Sequence, residues 1–130
     1  MEEPFIGAHR LWFEPPDLMV MMLRGDISPD EMRGLTRRVR EFPDDLLALV
    51  DVGELGQIPP ESRKTVLALD RWVPYRAMAV VRASFQAKLA MQLMLGAMRI
   101  TSRGRMGPTR LFAEEAEARA WLDSMRRDPG

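Results

Sequence analysis

The stretch Leu46-Leu47-Ala48-Leu49-Val50-Asp51-Val52 is apolar without a break until Asp51. A strand with one face in water alternates apolar and polar side chains, so an unbroken run implies a strand covered on both faces. A helix is the competing reading. Pro43-Asp44-Asp45 before the run, and Gly53, Gly56 and Pro59-Pro60 after it, leave too few residues for a stable one. The run therefore acts as the central strand of a sheet flanked by helices, and the other segments are units to place on either side of it.

Leu11-Trp12-Phe13-Glu14 and Leu18-Met19-Val20-Met21-Met22-Leu23 read as two strands joined by the turn Pro15-Pro16-Asp17. So short a connection makes the pair antiparallel. Ser28-Pro29-Asp30-Glu31 is an N-terminal helix signature: a capping serine, a proline at the first position, and a glutamate placed to close a capping box. Met32, Leu35, Val39 and Phe42 then follow helical spacing, and Pro43 stops the run. A second helix opens at Pro59-Pro60-Glu61, with Val66, Leu69, Trp72 and Val73 as its buried stripe and Pro74 as its end. Arg76 to Arg82 reads as a strand, Phe85 to Met98 as a helix, Ile100 to Pro108 as a loop and Thr109 to Phe112 as an edge strand. A last helix follows Glu114-Glu115, burying Ala118, Trp121, Leu122 and Met125. The alternation predicts one α/β domain over residues 1–130, ordered from about 10 to 126. Its sheet has about five strands in a single layer, mostly parallel, with an antiparallel N-terminal hairpin and four helices.

The chain has no cysteine, which excludes disulfides, thiolate metal sites and cysteine nucleophiles and is compatible with a cytoplasmic location. Met1-Glu2-Glu3-Pro4 lacks the layout of a secretory signal, and the apolar run Leu89 to Met98 is about half of a membrane span. Formal net charge is zero, yet residues 1–60 hold 6 Lys/Arg against 12 Asp/Glu, and residues 61–130 hold 13 against 7. Between Arg71 and Ala113 there are 8 basic residues and no acidic one. Such segregation is a signal for surface interaction. The 11 methionines supply flexible apolar filler, common in adaptable pockets and binding faces.

Several motifs, in order, resemble the STAS superfamily, the domain of anti-anti-sigma factors. The closer likeness is to its SpoIIAA-like branch, often grouped with lipid-carrier (Sec14-type) folds. The likeness rests on Leu23 to Glu31, on the apolar strand ending in Asp51, and on Ile58-Pro59-Pro60-Glu61-Ser62-Arg63. It also rests on Phe112 followed by Glu115-Ala116-Glu117-Ala118-Arg119-Ala120-Trp121-Leu122. The resemblance implies a non-enzymatic domain that binds a protein partner or a small apolar ligand, with no cofactor. It also implies a phosphorylation site at Ser62, which follows Glu61 at the start of a helix. Here Arg63 and Lys64 come next, where that branch carries serine and glycine. The competing role for Ser62 is to satisfy backbone groups in the first helical turn.

Asp51 ends the central strand, where open α/β sheets place ligand residues, but ordering the Gly53–Pro60 loop is its favoured role. His9, the only histidine, reads as an ordinary surface residue without an acid–base partner, and no metal set accompanies it. No Gly-rich phosphate loop or nucleophile motif is present, so neither catalytic residues nor enzymatic activity are expected.

The helix from Phe85 is the most informative segment. Met91, Met94, Leu95 and Met98 form one core stripe, while Phe85, Leu89 and Leu93 widen the apolar surface beyond what a sheet can cover. Arg82, Lys88, Arg99, Arg103, Arg105 and Arg110 surround it and offer an anion-facing rim. Three readings follow. One is a helix covered by neighbours or by the partner in a homodimer. Another is a helix over an apolar ligand pocket lined by Leu69, Trp72, Met91, Met94, Leu95 and Met98, or leaning on an anionic membrane. The third, nucleic acid, is disfavoured by the lack of interleaved aromatic residues. The leading expectation is a regulatory module that binds a protein partner through the helices starting at Glu61 and Phe85. The alternative is a carrier or sensor for a lipid-like ligand at anionic membrane surfaces.

Overall fold

β4 (Leu46–Leu55) lies inside a six-stranded mixed sheet, and its side chains explain the unbroken apolar run. Leu46, Ala48, Val50 and Val52 enter one buried cluster, while Leu47 and Leu49 enter another on the opposite face. The computed structural model describes residues 5–42, 45–67, 75–102 and 107–127, with backbone alone at 63, 65–67, 90, 94, 95, 97–102 and 127.

The elements run β1 (Phe5–Ile6), β2 (His9–Glu14), β3 (Leu18–Gly25), α1 (Pro29–Val39), β4, α2 (Pro60–Leu67), β5 (Tyr75–Val81), α3 (Phe85–Ser102), β6 (Thr109–Phe112) and α4 (Glu115–Arg127). Spatial order equals chain order, β1-β2-β3-β4-β5-β6. The first two pairings are antiparallel and the other three parallel. Right-handed crossovers between successive parallel neighbours put every connecting helix on the same side. Residues of α1 and α3 accordingly share a cluster with Met19, Leu23, Val50, Met78 and Val80. α4 follows the last strand and crosses to the other face, where Ala118 and Leu122 cover Leu18, Val20, Leu47, Leu49, Ala77 and Ala79. Two long-range charged ties hold it: Arg119 donates to Glu14 at 3.0 and 3.2 Å, and Arg126 donates to Asp17 at 2.6 Å.

The capping box forms as its sequence requires. Glu31 N donates to Ser28 Oγ at 3.1 Å, and Ser28 N donates to the Glu31 carboxylate at 2.9 Å. Met32, Leu35 and Val39 are buried. α1 ends at Val39, so Phe42 lies beyond the helix and stacks on Phe13 with ring centres 5.6 Å apart. Other boundaries also differ from the sequence expectation. β1 adds a sixth strand through the two-residue turn Gly7-Ala8, where Gly7 has φ +61° and a Cβ would strike the Glu31 carboxylate. β2 begins at His9 rather than Leu11. α3 continues to Ser102, so Ile100 to Ser102 are helical rather than loop.

Candidate functional site

α3 begins where β5 leaves the sheet. Arg82 turns the chain in the left-handed region at φ +61°, and Ser84 caps the helix by accepting from Ala87 N at 3.1 Å. Ala87 and Met91 point into the core. Phe85, Leu89 and Leu93 point out and are 76%, 48% and 57% exposed. The spacing i, i+4, i+8 makes them one ridge on the helix surface. Gln86, Lys88 and Gln92 beside them are exposed as well. Met91 thus belongs to the interior, whereas Phe85 and Leu89 are available from outside. Leu69, Trp72, Arg103 and Arg105 lie outside the described residues, as do the side chains of Met94, Leu95, Met98 and Arg99.

Between the sheet and α1–α3 lies an apolar cavity of about 80 Å³. Five methionines, Met19, Met21, Met32, Met78 and Met91, line it together with Leu23, Ile27, Leu35, Val39, Val50 and Ile58. Two hydroxyl-bearing side chains also reach it, Thr36 and Tyr75. Thr36 Oγ1 is already committed, donating to Arg33 O at 3.0 Å. Burial pushes the Tyr75 phenol well above its ordinary value, so it stays neutral. The cavity suits apolar matter and repels charge.

A second, polar hollow of about 230 Å³ sits at the carboxyl ends of β3 and β4. Asp51 there accepts from Gly53 N at 2.9 Å with Oδ1 and from Arg82 Nη2 at 2.9 Å with Oδ2. Its role is to order the local backbone, with Arg82 as its counter-ion. Arg82 therefore begins the basic rim with one of its donors engaged. Across the hollow, Arg24 pairs with Glu54 at 3.1 Å.

Ser62 is fully buried at the third position of α2. Its Oγ donates to Ile27 O at 2.7 Å and its N–H donates to Pro59 O at 3.0 Å. The hydroxyl ties α2 to the loop before α1, and a modifying enzyme must break that tie to reach it.

His9 corrects the surface assignment. It is fully buried on β2, its Nδ1 accepts from Arg24 N at 3.0 Å, and its Nε2 lies 3.5 Å from Glu31 Oε1. The N–H of Ser28, above all, holds the Glu31 carboxyl below its ordinary value. The sequence hid this because the partners, Arg24 and Glu31, lie on other elements. Likewise Arg10 is packed between the rings of Phe5 and Trp12, at 5.3 and 4.9 Å from their centres. Among the described residues, no group of three or more His, Asp or Glu side chains is placed to hold a metal ion. Nor is any helix among them long and apolar enough to cross a membrane.

A mixed sheet in chain order, with three crossover helices on one face and a further helix, α4, on the other, defines a small α/β domain. The SpoIIAA-like family model matches residues 18–123, and the chain belongs to that family. It is similar in fold to the crystal structure of an uncharacterized protein of the DUF3478 family from Shewanella loihica PV-4, described as having a SpoIIAA-like fold. The TM-score is 0.62 and the identity 16%, over 94% of this chain and 98% of that one. The comparison with curated proteins gives no match.

Proposed function

We propose that this chain is a non-enzymatic regulatory module that binds a protein partner through the outward face of α3 and the neighbouring start of α2. One observation carries the reading: Phe85, Leu89 and Leu93 form an uncovered apolar ridge on a helix whose opposite face is seated in the core. Large exposed apolar side chains aligned in this way favour an interaction surface over scattered surface chemistry. SpoIIAA-like domains are generally non-enzymatic, in keeping with a binding role. The test is a pull-down from host extract with wild type and Leu89→Glu. The expected result is a specific partner with wild type and its loss with the variant, while the circular dichroism melt stays within a few degrees. Equal capture by both proteins refutes the reading.

The apolar cavity favours a second reading, a carrier or sensor for a lipid-like ligand that works at anionic membrane surfaces. At about 80 Å³ the cavity is well below the roughly 300–1,000 Å³ of a drug-sized ligand site. Loading a lipid tail thus requires α3 to swing outward, with Met91 leaving its place. Native mass spectrometry of the purified protein tests this. A co-purified acyl compound supports it, and a bare mass under gentle conditions counts against it.

A further inference from the structure

We propose that Arg10 binds a small monocarboxylate with an apolar body, on the face of the sheet opposite α3. The site is separate from the ridge discussed above and does not depend on it. Arg10 lies on β2 and shares the α4 side of the sheet with Trp12, two residues on. Its guanidinium lies 5.3 Å from the ring centre of Phe5 and 4.9 Å from that of Trp12. Its Nε is buried and makes no hydrogen bond. Among the described residues, no carboxylate pairs with Arg10. Three other arginines among them are half-buried, and each has its acid: Arg38 has Glu41, Arg76 has Asp17 and Asp45, and Arg119 has Glu14 and Glu115. A partly desolvated charge without a counter-ion is costly, and two rings recover only part of that cost. Arg110 touches Phe112 and Trp121 in a similar way, but it is exposed, so water serves it. Arg10 is thus a half-buried cation that lacks a partner.

The surroundings hold the guanidinium in place and set the class of ligand. Ile6 packs against the core under α1, which sends Phe5 to the other face in register with Arg10. Trp12 Nε1 donates to Glu14 at 3.0 Å, and Arg119 holds Glu14 in turn. Glu14 and Asp51 are the acids of β2 and β4 on this face, and both are taken. Glu14 serves Trp12 and Arg119, and Asp51 serves Gly53 N and Arg82. With Nε sealed in, the two terminal nitrogens of Arg10 remain for a ligand. They form an end-on fork that matches the two oxygens of a carboxylate. One free guanidinium balances a monoanion. A phosphate dianion needs a second free cation, and Arg82 and Arg119 are already paired. Met22 pairs in register with Arg10 and is half-buried, and Phe5 is 52% exposed. With Trp12 they surround the charge with apolar surface that an alkyl or aryl body covers.

The test titrates the full chain with benzoate, its neutral twin benzamide, acetate and inorganic phosphate. The readout is the indole N–H signal of Trp12 in nitrogen-15 NMR, assigned with Trp12→Phe. Benzoate is expected to shift it saturably and to bind at least about tenfold tighter than benzamide, the worth of one charge-assisted contact. Acetate should bind more weakly than benzoate, because it lacks the apolar body. Arg10→Met keeps the contact with the rings and should lose the benzoate response while melting no lower than wild type. Arg10→Lys keeps the charge without the fork and should weaken benzoate by about tenfold. Glu2 and Glu3 stand just before β1 in the sequence, so a Glu2→Gln, Glu3→Gln double variant controls for acids of the chain itself. If benzoate binds only that variant, the chain fills its own site and the external ligand is refuted. Benzoate no tighter than benzamide on either protein overturns the proposal, as does phosphate binding as tightly as benzoate. Unchanged benzoate binding by Arg10→Met and Arg10→Lys would place the ligand elsewhere and overturn it too.

Discussion

Replacing Ser62 with aspartate is expected to destabilise the domain severely, and the comparison with Ser62→Ala separates two physical effects. Ser62 sits at the third position of α2, where added negative charge gains about 0.3–1 kcal/mol from the helix dipole if the site is wet. The side chain is instead fully buried, with its hydroxyl donating to Ile27 O at 2.7 Å. A carboxylate there faces a carbonyl oxygen, acceptor against acceptor, without water. An unpaired buried charge costs roughly 3–5 kcal/mol, so burial outweighs the dipole several-fold. Ser62→Ala removes the donor and leaves Ile27 O unpaired, at about 1–3 kcal/mol. For a domain of this size, each kcal/mol lowers the melting temperature by roughly 3–6 °C. Ser62→Asp should therefore melt at least about 10 °C below wild type and below Ser62→Ala. Thermal circular dichroism at neutral pH, supported by urea titration, reads the order directly. An aspartate variant as stable as wild type would show that the position is open to charge, and the burial argument would be wrong.

Ser28→Ala breaks the capping box and should cost about 1 kcal/mol in urea denaturation, with α1 retained. Leu49→Ala empties space between the sheet and α4 and should cost about 2–5 kcal/mol, enough to broaden or abolish the folding transition. Donation from Arg119, then from Trp12, holds the Glu14 carboxyl below its ordinary 4.5. A depressed folded value adds stability above pH 4.5 that is lost as pH falls through the folded value, so Glu14→Gln should flatten the acid limb of the stability profile. A Cβ on Gly107 would run into the Arg76 carbonyl, so Gly107→Ala should lower the melt sharply, and an unchanged melt would show that the β5–β6 connection can yield.

The elements legible in the sequence were those with local causes. Leu46 to Val52 announces a doubly covered strand because both of its faces are filled, and Ser28 to Glu31 announces a helix start because cap and partner lie three residues apart. β1 escaped because a two-residue strand has no periodicity, although Gly7 before Ala8 and His9 carries a hairpin signal. α3 was legible as too apolar, and its outward ridge follows from helical spacing once the inward positions Ala87 and Met91 are known. The environments of Ser62 and His9 were not legible. Each is set by a group on another element, Ile27 O for one, Arg24 N and Glu31 for the other, and no local pattern encodes such contacts.

Chain-order pairing has a bearing on synthesis. As the ribosome extends the polypeptide, each new strand finds its neighbour already made, so the layer can grow by accretion from one border to the other. Only the final helix reaches backwards, to residues more than a hundred positions earlier, through Arg119 with Glu14 and Arg126 with Asp17. Until it arrives, the greasy underside formed by Leu18, Val20, Leu47 and Leu49 has no cover. A ribosome stalled shortly before that point would release a sticky fragment, because the residues of α4 are the ones that close this side of the sheet.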